Sequence, residues 1–198
     1  MALQAYNPRF GQLIKGDDGE KYDRGFLAHY QIEAADAVAA DADYIEAPVT
    51  LGDGVTTTVL AAALDHQPPT PRVLTITGNA ATATGNVVVT GKDASGATLV
   101  ETIISTGAAT VEGTRAFASI DSIVFPARGA PGDTISVGLS DAFGIPFRIP
   151  YNTVILVLNN GTATTVAAGT YSATVLAANI LNLTAALAAA QVDVYLIV

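Results

Sequence analysis

The sequence predicts an all-β chain, an antiparallel β-sandwich or barrel-like domain preceded by an extended N-terminal arm. Three observations carry that expectation. Of 198 residues, 23 are Thr and 19 are Val, β-branched types whose stiff side chains suit a pleated surface better than a helix. Gly contributes 18 residues and Pro 9, the punctuation of a chain with many turns. Strand-forming runs recur between turn signals at a spacing of roughly 8–12 residues, the pattern of a sandwich or barrel.

Charge divides the chain into parts. Residues 1–24 hold four bases (Arg9, Lys15, Lys21, Arg24) and four acids (Asp17, Asp18, Glu20, Asp23), with Pro8, Gly11, Gly16 and Gly19 interrupting any regular element. Without hydrophobic periodicity this part reads as an extended arm that orders on a surface. Residues 25–70 are acidic: Glu33, Asp36, Asp41, Asp43, Glu46, Asp53 and Asp65 occur before the first base, Arg72. Alternation in Asp36–Ile45 and the run Val55–Leu60 predict short strands about the turn Gly52-Asp53-Gly54, with room for one helical turn near Ala34–Ala40. Pro68, Pro69 and Pro71 then form a linker, since they cannot enter a ladder or a helix interior.

Residues 71–198 read as the antiparallel β domain. Val73–Thr77 is a strand closed by Gly78-Asn79. Asn86–Thr90 and Ala97–Ser105 flank the polar loop Gly91–Gly96 and predict a hairpin. In the second of these strands Leu99, Glu101 and Ile103 share one face, and the carboxylate marks that face as the one nearer water. Phe117, Ile120 and Ile123 are spaced by three, which predicts a bulge or short helical turn before Ser122–Phe125. Thr134–Ser140, Thr153–Leu158, Thr162–Ala167, Thr170–Leu176 and Asp193–Val198 complete the strands, with turns at Asn159-Asn160-Gly161 and Ala168-Gly169. Ala177–Ala190 has mixed helix and strand character; its neighbours favour strand and turn.

Chemistry is sparsely signalled. The formal charge of −9 repels phosphate backbones and argues against nucleic acid as a partner. Cysteine is absent, so there is no disulfide, thiolate metal site or Cys nucleophile. The N-terminus lacks the basic and apolar regions of a secretory signal. His29 or His66 with Asp36, Asp41 or Asp43 would have to form a metal site, and Ca²⁺ would draw on Asp36, Asp41, Asp43 and Glu46. Neither spacing matches a ligand pattern. No nucleophile motif, phosphate loop or marked carboxylate pair occurs; Glu101 and Glu112 only flank a turn. The sequence therefore assigns no catalytic, cofactor or metal residue.

The tract between Arg148 and Asp193 is the more telling oddity, 44 residues without a formal charge. Asn159, Asn160, Thr162, Thr164, Asn179, Asn182 and Gln191 interrupt it, so no stretch of about 20 residues is apolar enough for a membrane span and the chain reads as soluble. Solvated strands normally carry charge that discourages edge-to-edge association. A charge-free tract is either sandwich core or a subunit interface.

Leu74–Ala80, Gly85–Gly91, Glu101-Thr102-Ile103, Val111–Thr114 with Ala116-Phe117, Asp133–Gly138, Gly52–Val59 and the closing Val192–Val198 together resemble sequences of structural proteins of tailed-bacteriophage virions. The resemblance implies a capsid decoration (cement) protein, commonly a trimer on the outer capsid surface that bridges neighbouring capsomers. It implies self and the major capsid protein as partners, a location on the virion after synthesis in the host bacterial cytoplasm, and neither catalysis nor cofactor. The arm would anchor through its aromatics Tyr6, Phe10 and Tyr22. A tail tube or tail fibre component and a carbohydrate-binding β-sandwich are the alternatives.

Overall fold

A computed structural model describes residues 25–198, together with the backbone of a short antiparallel pair, β1 (Ile14–Lys15) and β2 (Lys21–Tyr22). The described chain is all-β, its helical content limited to 3₁₀ turns at Ala61–Ala63 and Leu176–Ala178. Among the described residues no helix is long and apolar enough to cross a membrane.

Fourteen further strands, all antiparallel to their partners, build three sheets. The first has β5 (Thr57–Leu60), β10 (Ser119–Phe125), β7 (Thr84–Lys92) and β8 (Thr98–Thr106), in that order. The second runs β14 (Val166–Thr170), β15 (Ile180–Leu183), β11 (Thr134–Gly144), β6 (Arg72–Gly78) and β9 (Val111–Phe117). Its spine, β11, is long enough for two neighbours on one edge: β4 (Asp41–Thr50) flanks Thr134–Leu139, and β15 takes over at Phe143. The third runs β13 (Thr162–Thr164), β12 (Val154–Asn159), β16 (Val192–Ile197) and β3 (Leu27–Ile32).

Turn chemistry sets several registers. Asn160 and Gly161 have φ of 50° and 74°, the paired left-handed geometry that a two-residue hairpin between β12 and β13 requires. The expected hairpin of β7 and β8 forms in continuous register from Thr84↔Thr106 to Lys92↔Thr98. The spacing of Phe117, Ile120 and Ile123 proves to be a bulge, a register shift between Ile120 and Ser122 that keeps all three side chains buried.

Two cores result. Leu74, Ile76, Val87, Val89, Phe117, Ile123, Phe125, Ile135 and Val137 fill the space between the first and second sheets. Phe143, Leu181 and Leu183 pack with Ile32, Val157, Val192, Val194 and Leu196 of the third sheet. Each such side chain contributes about 1.5–3 kcal/mol by leaving water. The acidic segment is woven into all three sheets, through β3, β4 and β5.

Two expectations are corrected. The face of β8 that carries Glu101 is the buried one: Glu101, Ile103 and Ser105 point inward while Val100 and Ile104 are exposed. The carboxylate is accommodated because Oε1 accepts from the Thr114 amide (2.5 Å) and hydroxyl (2.9 Å) on β9. Thr170–Leu176 is no strand. Instead β14 runs straight through Ala168-Gly169, and the chain beyond it loops around the buried Asn179 side chain. That amide accepts from the Ser172 N–H (2.8 Å) and donates to the carbonyls of Ser172, Val175 and Leu176. It supplies the pairing that a ladder would otherwise give. The segment Ala177–Ala190 resolves as strand β15 followed by turns, as its neighbours suggested.

Candidate functional site

The charge-free tract divides between the two roles its composition allows. Its C-terminal part is core, with Leu181, Leu183, Leu187 and Val192 buried. From Tyr151 to Val175, by contrast, Val157 is the one buried residue. Strands β12 and β13 of the third sheet and β14 of the second thus carry exposed positions without a formal charge. Tyr151, Ile155 and Leu156 are 67%, 62% and 40% exposed. For Ile155 the cause is local: a register shift against β16 between Val154 and Leu156 places it in a bulge. The uninterrupted apolar run Val154–Leu158 carried a signal that both faces of this strand avoid water, but alternation alone could not say what covers the second.

The outward face of the first sheet has the same character. Leu60, Ser122, Thr90 and Val100 lie side by side across its four strands, as do Thr58, Val124, Val88 and Thr102, with Asn86 beside Ile104. Leu60, Val100 and Ile104 are exposed, and none of these residues is charged.

Polar side chains are spent on structure. His29 Nε2 lies 2.8 Å from Asp193 Oδ1, its ring stacks on Tyr195 at 4.5 Å, and Gln191 Nε2 donates to Asp193 Oδ2 (2.9 Å). This cluster closes the β3–β16 pairing on its outer face. His66 Nδ1 sits 2.9 Å from the Tyr44 carbonyl and its ring stacks on Tyr44. The two histidines are thus committed to different strands. Asp36 lies in the turn after β3, whereas Asp41 and Asp43 are neighbours on β4, where the Asp43 amide donates to Asp41 Oδ1 (3.2 Å). Hydrogen bonding to Asp41, reinforced by its charge, raises the Asp43 carboxyl, and burial beside Asp65 raises that of Glu46. Among the described residues no group of three or more acidic or histidine side chains could hold a metal ion. Glu101 is buried while Glu112 is exposed on β9. Tyr6 and Phe10 lie outside the described residues, and of Tyr22 only the backbone pairing in β2 is described.

No protein-family model, curated protein or solved structure matches the chain.

Proposed function

We propose that this chain is a structural protein without a catalytic step, one that decorates and stabilises a phage capsid by bridging neighbouring capsomers. The observation that carries this reading is the exposed, charge-free character of β12–β14, with Ile155 and Leu156 standing in water in an isolated protomer. Exposed apolar surface of this kind marks association. The absence of charge favours a permanent contact over a transient one, because subunit interfaces are depleted in charged residues at their centres. The phage assignment rests on the resemblance of the strand and turn sequences, and the acidic balance suits the outside of a shell that encloses DNA. The partners are further copies of the chain, as a trimer, and the major capsid protein. The N-terminal arm, with Tyr6, Phe10 and Tyr22, anchors on the shell.

Light scattering on the purified full-length chain tests the first half. The expected result is a stable mass about three times that of the 20.1 kDa chain. A monomer overturns association, and rings of six move the assignment to the tail. Binding to capsids stripped of decoration tests the second half. Removal of residues 1–24 abolishes occupancy and leaves the β domain folded, since both cores lie in residues 25–198; undiminished occupancy would exclude the arm as the anchor.

A further inference from the structure

We infer that the outer face of the second sheet carries a groove for an extended, basic segment of a partner protein. The groove starts where the first residues of β4, Asp41 and Ala42, cross close over β11. Gly138 permits that crossing, because a Cβ there would collide with the Asp41 carbonyl oxygen. The Ser136 hydroxyl ties the crossing down by donating to the Ala42 carbonyl (3.0 Å). Between this crossing and β9 opens a cleft of about 500 Å³ lined by Asp41, Asp141, Glu112, Thr75 and Ser140. It continues past Glu112 and Asn182 into a second cleft of about 220 Å³, where Val73, Ala142 and Ile180 make the floor and Ala168–Thr170 of β14 the far wall.

The acidic half calls for a cation. The ion pairs among the described residues are His29–Asp193 and Arg128–Asp53, so none of Asp41, Asp141 and Glu112 is held in a direct ion pair. Asp141 accepts from the Ala40 amide (3.2 Å) and Asp41 from that of Asp43. The guanidinium of Arg72 attracts Asp141 from beneath, yet its hydrogen bonds go to the carbonyls of Ser140 and Val38. A second feature points to a ligand. Thr75, on β6 beside Glu112, is only 7% exposed and its hydroxyl has no hydrogen-bond partner. A buried hydroxyl left unpaired is destabilising, and Thr75 lines the cleft in which a donor would meet it.

Shape and charge decide the occupant. The three carboxylates do not converge on one ion, so a bare metal is a poor fit, whereas a guanidinium or ammonium on a long side chain carries its own donors into a cleft of this size. A second copy of this β domain has few bases to offer an acidic groove: of the five after residue 24, Arg72 is buried and Arg128 is paired with Asp53. Alternate residues of an extended peptide fall on the same side. The segment therefore carries Arg or Lys with a small apolar residue two places along, one for each half of the groove. This assignment stands apart from the capsid reading.

The probe is a fluorescently labelled acetyl-Gly-Arg-Thr-Val-Gly-amide, with a second peptide in which neutral citrulline replaces arginine, each titrated by anisotropy into the full-length protein. Saturable binding of the arginine peptide is expected, weaker by about tenfold or more for the citrulline peptide. The double variant Glu112→Gln, Asp41→Asn should show the same loss with an unchanged melting curve, since an asparagine side chain keeps an oxygen acceptor for the Asp43 amide and the charge of Asp141 above Arg72 is left in place. A control pair of exposed acids outside the groove, Glu33→Gln with Asp121→Asn, leaves binding unchanged. Equal affinity for the two peptides, no saturation, or an equal loss from the control pair would overturn the inference. So would displacement of the arginine peptide by submillimolar Ca²⁺, which would make the site a metal site.

Discussion

The guanidinium of Arg72, fully buried, donates from Nε (3.1 Å) and Nη2 to the carbonyl oxygen of Ser140. The contact answers a defect in the ladder. Leu139 pairs with Leu74 and Phe143 with Arg72, so β11 accommodates two more residues than β6 between those pairs. The bulged backbone leaves the Ser140 carbonyl without a strand partner, and a buried carbonyl must find a donor. Arg72 supplies it, while Nη1 donates to the Val38 carbonyl (2.7 Å) of the overlying chain. Burial is the main reason its pKa falls to about 10.

Arg72→Lys should therefore be far from conservative. A lysine ammonium is a point donor that cannot serve two carbonyls on opposite sides. The expected cost is about 3 kcal/mol, read as a lower urea midpoint at unchanged slope. A change under about 0.5 kcal/mol would mean that the bulge holds without the guanidinium.

Glu101 and Gly113 act as one unit. β8 and β9 are edge strands of different sheets, and the Glu101 carboxylate joins them through Thr114 in place of a ladder. Gly113 makes the room, since a Cβ there would lie 2.9 Å from Glu101 Oε2 and 3.0 Å from Ile103 Cδ1. Glu101→Ala should cost about 2 kcal/mol by orphaning the Thr114 amide and hydroxyl. Gly113→Ala should be destabilising in the parent chain and much less so in the Glu101→Ala background. A double-mutant cycle in chemical denaturation reads that coupling. Additive effects would show that the carboxylate and the glycine are independent.

Asp133 predicts how stability responds to acid. Its Oδ1 accepts from the Thr82 hydroxyl (2.7 Å) and Oδ2 from the amides of Ala130 (2.7 Å) and Gly129 (3.0 Å). The Thr82 hydroxyl first, then those amides, hold its carboxyl below the usual carboxylate range. A depressed acid stabilises the fold above its unfolded-state pKa, and that stability is lost as pH falls through the folded-state value. Asp133→Asn should thus melt lower than the parent at pH 7, because its –NH₂ would face two N–H donors. The gap should close as pH drops below the ordinary aspartate range. A gap that stays constant down to low pH would place the effect elsewhere than in the carboxylate's charge.

How much of this was legible in the sequence follows from how local each cause is. The hairpin turn at Asn160-Gly161 and the β7–β8 hairpin could be read directly, because a few consecutive residues determine them. The bulge at Ile120 could be read from spacing, since three apolar side chains must share one core. Glu101 could not: its partner lies on a strand of another sheet, so the usual rule that charge faces water gave the wrong face. Asn179 misled for a similar reason, as its side chain replaces a ladder by bonding three carbonyls. The charge-free tract announced avoidance of water, but only the strand positions separate Leu181, which is core, from Ile155, which is surface.

Ile155 gives the decisive test of that surface. Its side chain is 62% exposed and sits in the β12 bulge, so a charge there costs the isolated protomer little, within about 0.5 kcal/mol. Inside an interface the same charge would have to be desolvated without a partner, at a cost of several kcal/mol per site. Ile155→Asp should therefore shift the sedimenting species from oligomer to monomer while the secondary structure is retained. Val100→Asp, at a comparably exposed position on the outward face of the first sheet, asks the same of the other apolar face. Loss of assembly from Ile155→Asp alone would put the copy-to-copy contact on β12–β14 and leave the first sheet for the shell. Loss from Val100→Asp alone would reverse that assignment. An oligomer that survives both substitutions would remove the apolar surfaces as the cause of association and, with them, the main support for a protein that works by packing against copies of itself.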